Sequence, residues 1–572
     1  VIAPLRGLPL QVNRGKTMPT LQFKGKNIIW NHHLSIPYHT LEEVSKLNFQ
    51  ADKGEGNLII EGDNLLALKA LLPQYAGKIK CVYFDPPYNT GNEGWIYNDK
   101  ANSPLIKEWL GKEVGKDDLT KHDKWLCMMV PRLKLLRELL SDDGVIFASI
   151  DDFEVYNLRM LFNEVFGEEN FVAEIIIHSN PKGRVLDRHF SKSHEYVIVF
   201  AKDVLQTDLS LEKSEEDIEV QYTEEDNGGK FRQLELRNTH REFGKHNREK
   251  LYFPFFVHPE KLTVSLDPFP KAVKVYPDWE DGFEGCWTWG EPRSREKQKL
   301  IVAKRVGNRI KIFRKAYSHD ESGAVARKKL KTIWYDNIFN TEKGQQEVDE
   351  LLGKRAFPQP KPLELIKSCI RVASDADSII LDSFAGAGTT MHAVFDLNKE
   401  DGGSRQCILV QMTEATGKEL QKNICRDATR ERNKRAIEKY GYKSGFKYLR
   451  VGDPIDAETL LSGTLPTYKQ FAKYVYYLCT GEYLQDESSI DEKTYFIGMH
   501  KKEAIYLIYE KDYDTLTRLA LNLKEAERML AEQKGKKIIC YAPACFLDEE
   551  YLEAKKIEFV GIPYNLFRRN GQ

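Results

Sequence analysis

The sequence predicts an α/β protein whose main sheet is mostly parallel and covered by helices on both faces. Three observations predict it. Over residues 57–203, apolar runs of strand length alternate with segments of helical periodicity. The same rhythm returns over 363–413. Two of the apolar runs end directly in a carboxylate, Asp85 and Asp382, and open α/β sheets bind ligands at the carboxyl ends of their strands.

Taken in order, 58–60 is a short apolar run and 64–72 is helical. Residues 79–84 read as a buried strand and 133–140 as a helix, after which Ser141-Asp142-Asp143-Gly144 turns the chain into a strand over 145–150. A helix is expected over 153–166 and a strand over 196–201. From 207 to 226 the chain is acidic and polar, an exposed excursion, and from there to about 336 it is rich in Arg, Lys and aromatics. A strand over 378–381, a glycine turn, a helix and a strand over 407–410 follow, then a helix-like stretch over 417–440. Strands over 495–499, 504–509, 537–541 and 557–560, with a helix over 513–533, suggest a small α/β module. These shifts divide the chain into an extension (1–56), two sheet-forming segments (57–203 and 341–445) separated by 204–340, and a terminal module (446–572).

A chain of 572 residues exceeds what one core supports. A charged fraction of 30% and a mean hydropathy of −0.51 predict a soluble, cytoplasmic protein. No run approaches the roughly 18 apolar residues of a membrane span. Residues 1–17 lack the apolar stretch of a signal peptide, and Met18 reads as a natural start. The nine cysteines form no CxxC pair, so buried thiols in a reducing compartment are expected. Neither they nor His32, His33, His240 and His246 have zinc spacing, and no metal is expected. With a net charge of −1, any nucleic-acid surface must be local.

The most informative stretch is Ile79-Lys-Cys-Val-Tyr-Phe-Asp85-Pro86-Pro87-Tyr88-Asn89-Thr90-Gly91. An ordinary strand-to-loop turn is the plain alternative, but Asp-Pro-Pro-Tyr arises by chance in on the order of one in several hundred chains this long. Prolines stiffen the loop and leave their carbonyls as acceptors. A carboxylate accepting one N–H of an aromatic exocyclic amine, with a backbone carbonyl accepting the other, would aim that nitrogen's lone pair at an electrophile. Tyr88 supplies a flat face for an extruded base.

The second stretch, Ser378-Ile-Ile-Leu-Asp382-Ser-Phe384-Ala-Gly386-Ala-Gly388-Thr389-Thr390, is strand, glycine turn, helix. Glycines admit a ligand close to the backbone, and the helix N-terminus favours an anionic group. The turn lacks the lysine of a P-loop and the three glycines of a dinucleotide fingerprint. A nucleoside with a short zwitterionic tail fits it better.

Asp85-Pro-Pro-Tyr88 followed about 300 residues later by Asp382-Ser-Phe-Ala-Gly-Ala-Gly388 resembles the β-class amino-methyltransferases of DNA. Three further segments extend the likeness: Leu140-Ser-Asp-Asp-Gly-Val-Ile-Phe-Ala-Ser-Ile-Asp-Asp152, His194-Glu195-Tyr-Val-Ile-Val-Phe, and Phe357-Pro-Gln-Pro-Lys361-Pro362. Over roughly 20–440 the chain is similar to the modification subunits of type III restriction systems. The resemblance implies a doubly wound, Rossmann-like fold that binds S-adenosylmethionine and ends in an antiparallel hairpin, with the insertion as target-recognition region. It implies Asp85, Pro86, Pro87 and Tyr88 as catalytic loop. For the cofactor it implies Asp382, Phe384, Gly386 and Gly388, with Thr389, Thr390, Lys361 and Pro362 near the methionine end. Asp63 and Asn64, in Glu61-Gly-Asp-Asn, match the acidic turn near the adenine. Where the family has an acid for the ribose, this chain offers Gln411 or Glu414.

Residues 293–331 carry 14 Lys or Arg against three acids, a net charge of 14 − 3 = +11. A charge run is usually a solvated face, but this one lies beside Trp287, Trp289, Phe313 and Trp334 in a near-neutral chain. Phosphate neutralisation is therefore expected. Candidate nucleic-acid contacts are Asn89, Arg305, Arg309, Arg314, Lys315, Lys328 and Lys329. The expected activity is methylation of adenine N6 in double-stranded DNA, with Asp at the first motif position favouring adenine over cytosine N4 in the family. RNA methylation and a DNA-binding specificity subunit are the alternatives. In a type III-like system the implied partners are a second copy of the chain and a separate helicase–nuclease.

Overall fold

The computed structural model describes residues 19–562 apart from 55, 91–119, 184–186, 355, 415–422, 456–464, 483 and 485. Two compact units are present, one formed by 1–209 with 331–572 and one by Ser210–Leu330.

The first unit is built on ten strands: β1 (Tyr38–Glu43), β2 (Leu58–Glu61), β3 (Ile79–Phe84), β4 (Leu140–Ile150), β5 (Phe171–Ile177), β6 (Glu195–Ala201), β7 (Ile333–Trp334), β8 (Ile379–Asp382), β9 (Gln406–Gln411) and β10 (Lys447–Ile455). Their order is β1-β10-β2-β9-β8-β3-β4-β6-β5-β7. The run from β10 to β4 is parallel. β4, β6 and β5 are joined antiparallel.

Strands buried on both faces read as near-continuous apolar runs, as Cys81–Phe84 of β3, Ile379–Leu381 of β8 and Cys407–Val410 of β9 do. Ile60, Val82, Phe84, Ile146 and Val410 share one core with α1 (Asn64–Tyr75), α2 (Lys121–Leu139) and α3 (Val155–Phe166). Alternate residues such as Cys81, Tyr83 and Phe147 point to the opposite face. α5 (Leu363–Ala373) packs there, next to α6 (Thr389–Asp401), with α4 (Thr341–Leu352) and α7 (Glu431–Tyr440) completing the layer. The sheet is thus doubly wound, and its centre alternates between early and late segments of the chain.

Several elements differ from the sequence reading. β1 lies within the expected extension and β10 within the expected terminal module, yet both join the main sheet. The remainder of the module forms a four-stranded sheet of Phe496–His500, Glu503–Leu507, Lys537–Ala542 and Ile557–Gly561. Its inner face is not separate: Phe471 and Tyr474 of α8 (Tyr468–Thr480), with Ile505 and Ile539, belong to the same core as α1. The helix expected over 513–533 is two, Tyr513–Leu516 and Leu523–Glu532. Between them Leu521 bridges to Cys545, and Asn522 caps the second helix by accepting from Glu525 N at 3.0 Å. All nine cysteines are free thiols. No helix among the described residues is long and apolar enough to cross a membrane.

In the second unit, Ile301–Val306, Arg309–Tyr317, Gly229–Glu235 and Glu224–Asp226 form an antiparallel sheet. Trp287, Trp289, Phe255 and Ile312 centre its core. The acidic stretch expected as an excursion is ordered: Ser214 and Asp217 make a reciprocal capping box at the start of the helix Glu215–Gln221.

Candidate active site

β3 and β8 are neighbouring parallel strands with Tyr83 opposite Asp382. The Asp-Pro-Pro-Tyr loop and the glycine turn therefore leave adjacent strand ends, about 4.8 Å apart across the sheet.

Asp85 follows the last residue of β3. Trp125 of α2 donates its indole N–H to the Pro87 carbonyl at 2.7 Å. The expectation that both proline carbonyls stand free is thereby corrected. Among the described residues, only that of Pro86 has no hydrogen-bond partner. Asn89 has φ +59° and is fully buried. Its amide donates to Glu154, a buried carboxylate that also accepts from Asn157 Nδ2 at 2.8 Å and lies 2.6 Å from His122 Nδ1. Asn89 is thus drawn inward to anchor the loop, which overturns its assignment as a nucleic-acid contact.

Around Asp85 the structure gathers residues from three elements. The Lys361 ammonium lies 3.5 Å from Asp85 Oδ1 and 2.8 Å from Glu195 Oε2. It also donates to the Tyr88 hydroxyl and sits 4.7 Å from the centroid of that ring. Tyr88 in turn donates to Glu195 Oε2 at 2.9 Å. Burial pushes the Asp85 carboxyl up to about 6; Lys361 opposes the shift and Glu195 adds to it. Burial would lower the Lys361 pKa, but Asp85 and Glu195 together raise it, so the ammonium stays charged.

The turn after β8 is braced from within. Asp382 accepts from Phe384 N at 3.0 Å and from the Thr390 hydroxyl at 2.5 Å. Burial lifts its pKa to about 7 against those two bonds. Gly386 and Gly388 have φ of +52° and +77°, the left-handed region that glycine enters without strain. A Cβ on Gly388 would fall 2.4 Å from Asn433 Nδ2. Thr429 and Asn433 hold the carbonyls of Gly386 and Gly388 at 2.6 and 3.1 Å. Gln411, at the end of β9, accepts from Gly386 N at 2.7 Å and donates to Glu414 at 2.9 Å. Phe384 packs edge-on against Phe84, centroids 5.1 Å apart.

The remaining expected cofactor residues lie around this turn. Asp63 caps α1, accepting from Leu65 N at 2.8 Å. Asn64 donates to the Ser383 carbonyl at 2.9 Å. Glu61 is buried under three donors, Tyr448 at 2.6 Å and Asn423 and Arg450 at 2.8 Å each. Burial would raise its pKa, and these bonds bring it below the usual value. Pro362 caps α5. Lys361 is divided: its carbonyl accepts from the Thr389 hydroxyl at 3.4 Å, while its ammonium serves the Asp85 loop.

Of the basic residues, the structure withdraws some. Lys315 is paired with Asp226 and Lys328 with Asp217, so both are corrected as outward contacts. The acids come from the segment expected to be an excursion. Arg305 donates to the Pro259 carbonyl at 2.8 Å. Arg309 and Lys329 are exposed, and Arg314 is half-buried against Trp289.

The sequence pattern of a family described as DNA methylase matches residues 79–430, from the first residue of β3 to just before α7. The chain belongs to the DNA methylase family. It is 35% identical over 402 residues to the EcoPI Mod subunit of a type III restriction-modification enzyme from Escherichia phage P1, covering 67% of this chain and 62% of that one. To the type II methyltransferase M.KpnI of Klebsiella pneumoniae it is 33% identical over 354 residues, 61% of this chain and 79% of the relative. To the StyLTI Mod subunit of Salmonella typhimurium it is 32% identical over 443 residues, 72% and 63%. The match thus spans less than two thirds of either Mod subunit. Among the site residues, Trp125, Glu154, Thr429 and Asn433 were not singled out by sequence reasoning, and Glu195 entered only within a likeness segment, without a role.

Proposed function

We propose that the protein transfers a methyl group from S-adenosylmethionine to the N6 of an adenine flipped out of duplex DNA. The observation that carries this reading is the adjacency of β3 and β8, which puts an amine-holding loop beside a ligand-cradling turn. The turn fits the cofactor on its own terms. Two glycines with positive φ leave the backbone open, α6 begins at Thr389 with free N–H groups suited to a carboxylate, and no lysine marks it for a triphosphate. Phe384, Gly386, Gly388 and Thr389 would hold S-adenosylmethionine, with Asp382 and Gln411 bracing the backbone. When bound, it supplies an electrophilic methyl group.

The chain's own residues do the rest. Asp85 accepts one N–H of the amine and the Pro86 carbonyl accepts the other, which fixes the lone pair's direction. Trp125 keeps the loop rigid through Pro87. The Tyr88 ring, tied at its hydroxyl, offers a stacking face. As the new bond forms, the amine's surplus proton goes to Asp85, whose pKa near 6 suits a proton acceptor at neutral pH. Lys361 keeps that carboxylate ionised until then. Resemblance to Mod subunits supports adenine as target and a separate restriction subunit as partner.

The test is to incubate the protein with duplex DNA and labelled S-adenosylmethionine, digest to nucleosides and identify the labelled one. N6-methyl-2′-deoxyadenosine is expected. Label on cytosine would replace the adenine assignment. Transfer by Asp85→Ala at the wild-type rate would remove the carboxylate from the mechanism.

A further inference from the structure

In the Ser210–Leu330 unit, several basic side chains are met by acids. Lys315 and Lys328 pair with Asp226 and Asp217, Arg237 lies 2.8 Å from Glu235, and Lys304 lies 3.0 Å from Glu224. Arg232 and Arg314, both half-buried, have no such acid beside them among the described residues, nor does the neighbouring exposed Arg293. None of the three makes an ion pair with any described residue.

They lie together. The guanidinium carbons of Arg293 and Arg314 are 5.0 and 5.3 Å from the Trp289 ring centroid. Arg314 is paired with Leu234 and Ala316 with Arg232, which puts Arg232 diagonally across from Arg314 on the same sheet face. Burial, Arg293 and Arg232 all hold the Arg314 pKa below the usual arginine range. Arg232 gives one N–H to Gln221 at 3.2 Å, and its Nε is buried with no partner among the described residues.

Three guanidinium groups without a counter-charge are an incomplete arrangement, and an oxyanion completes it. We infer that Arg232, Arg293 and Arg314 form a phosphodiester-binding triad that grips the backbone of duplex DNA. The planar fork of arginine suits phosphate oxygens. Trp289 is only 6% exposed and offers no open face to a base, which favours backbone over base contact. The inference rests on the methyltransferase reading for its choice of DNA.

The test measures duplex affinity against salt for the full chain. Replacing all three arginines by Gln should lower the slope of log affinity against log salt by about 2 to 3, each phosphate contact contributing about 0.9. The thermal midpoint should hold or rise, since mutually repelling charges are removed. Arg293→Gln alone, at an exposed site, should lower the slope by about 0.9. The control is Lys304→Gln with Lys315→Gln and Lys328→Gln, which should leave the slope nearly intact while lowering the midpoint. A wild-type slope in the Arg293 variant, or an equal loss in the control, overturns the triad. So does weakened binding of duplex RNA with DNA binding unchanged. Methyl transfer by the wild-type protein reports separately on the parent reading: its failure to methylate DNA would sink that reading alone.

Discussion

The Lys361 ammonium stands 2.8 Å from Glu195 Oε2 and 3.5 Å from Asp85 Oδ1. One cation therefore balances two carboxylates that arrive from different strands. A hydrogen bond from Tyr88 also favours the ionised Asp85 carboxyl, while Asp85 in turn raises the pKa of Tyr83 and Asp382.

Removing the cation should move the acid limb of activity upward. Asp85 is needed ionised, and its pKa is already lifted to about 6, so the wild-type rate should rise through that pH and level off above it. Lys361→Gln withdraws the opposing charge, and half-maximal rate should shift alkaline by at least about one unit, worth about 1.4 kcal/mol. A pH–rate profile under single turnover reads this. An unshifted limb with a uniformly lower rate would mean that Lys361 acts only by packing.

Glu195→Gln should move the same limb the other way. Glu195 raises the Asp85 pKa, so its neutral isostere should let Asp85 ionise at lower pH. The opposite signs of the two shifts are the discriminating result. A shared direction would show that both variants simply disturb the loop.

Position 89 separates strain from hydrogen bonding. Asparagine tolerates φ of +59° better than most residues. Asn89→Gly keeps that conformation and loses the side chain with its bond to Glu154, whereas Asn89→Ala also incurs about 1–2 kcal/mol of left-handed strain. Methyl transfer should fall in the order wild type, Gly, Ala, with cofactor affinity unchanged. Equal rates for the two variants would contradict this.

At Gly388 the added methyl meets Asn433 Nδ2 at 2.4 Å, with φ at +77°. Gly388→Ala should weaken S-adenosylmethionine binding by at least about tenfold, or about 1.4 kcal/mol, as measured by calorimetry. Unchanged affinity would move the cofactor away from this turn.

Local chemistry was readable where it is local. The β3 apolar run, the double proline and the two-glycine turn each announce themselves within a dozen residues. The role of Glu195 did not, although its segment was visible, because it reaches Tyr88 from 107 positions away, and only the order of strands brings β6 close to the β3 loop. Trp125 was hidden in the same way, inside a helix whose apolar face looks like ordinary core. The basic segment misled for a related reason. Counting charges over 293–331 leaves out Asp217, Glu224 and Asp226, which fold back from an earlier stretch and neutralise Lys328, Lys304 and Lys315.

β1 is hydrogen-bonded within the sheet to β10 alone, and β10 lies between β1 and β2. A strand made early thus waits for some four hundred residues of synthesis for its hydrogen-bonded neighbour. Cutting the protein just after α7 would deprive β1 of its hydrogen-bonded neighbour and bare the β2 margin as a sticky template for other chains. A shortened enzyme retaining every catalytic side chain should therefore clump rather than work.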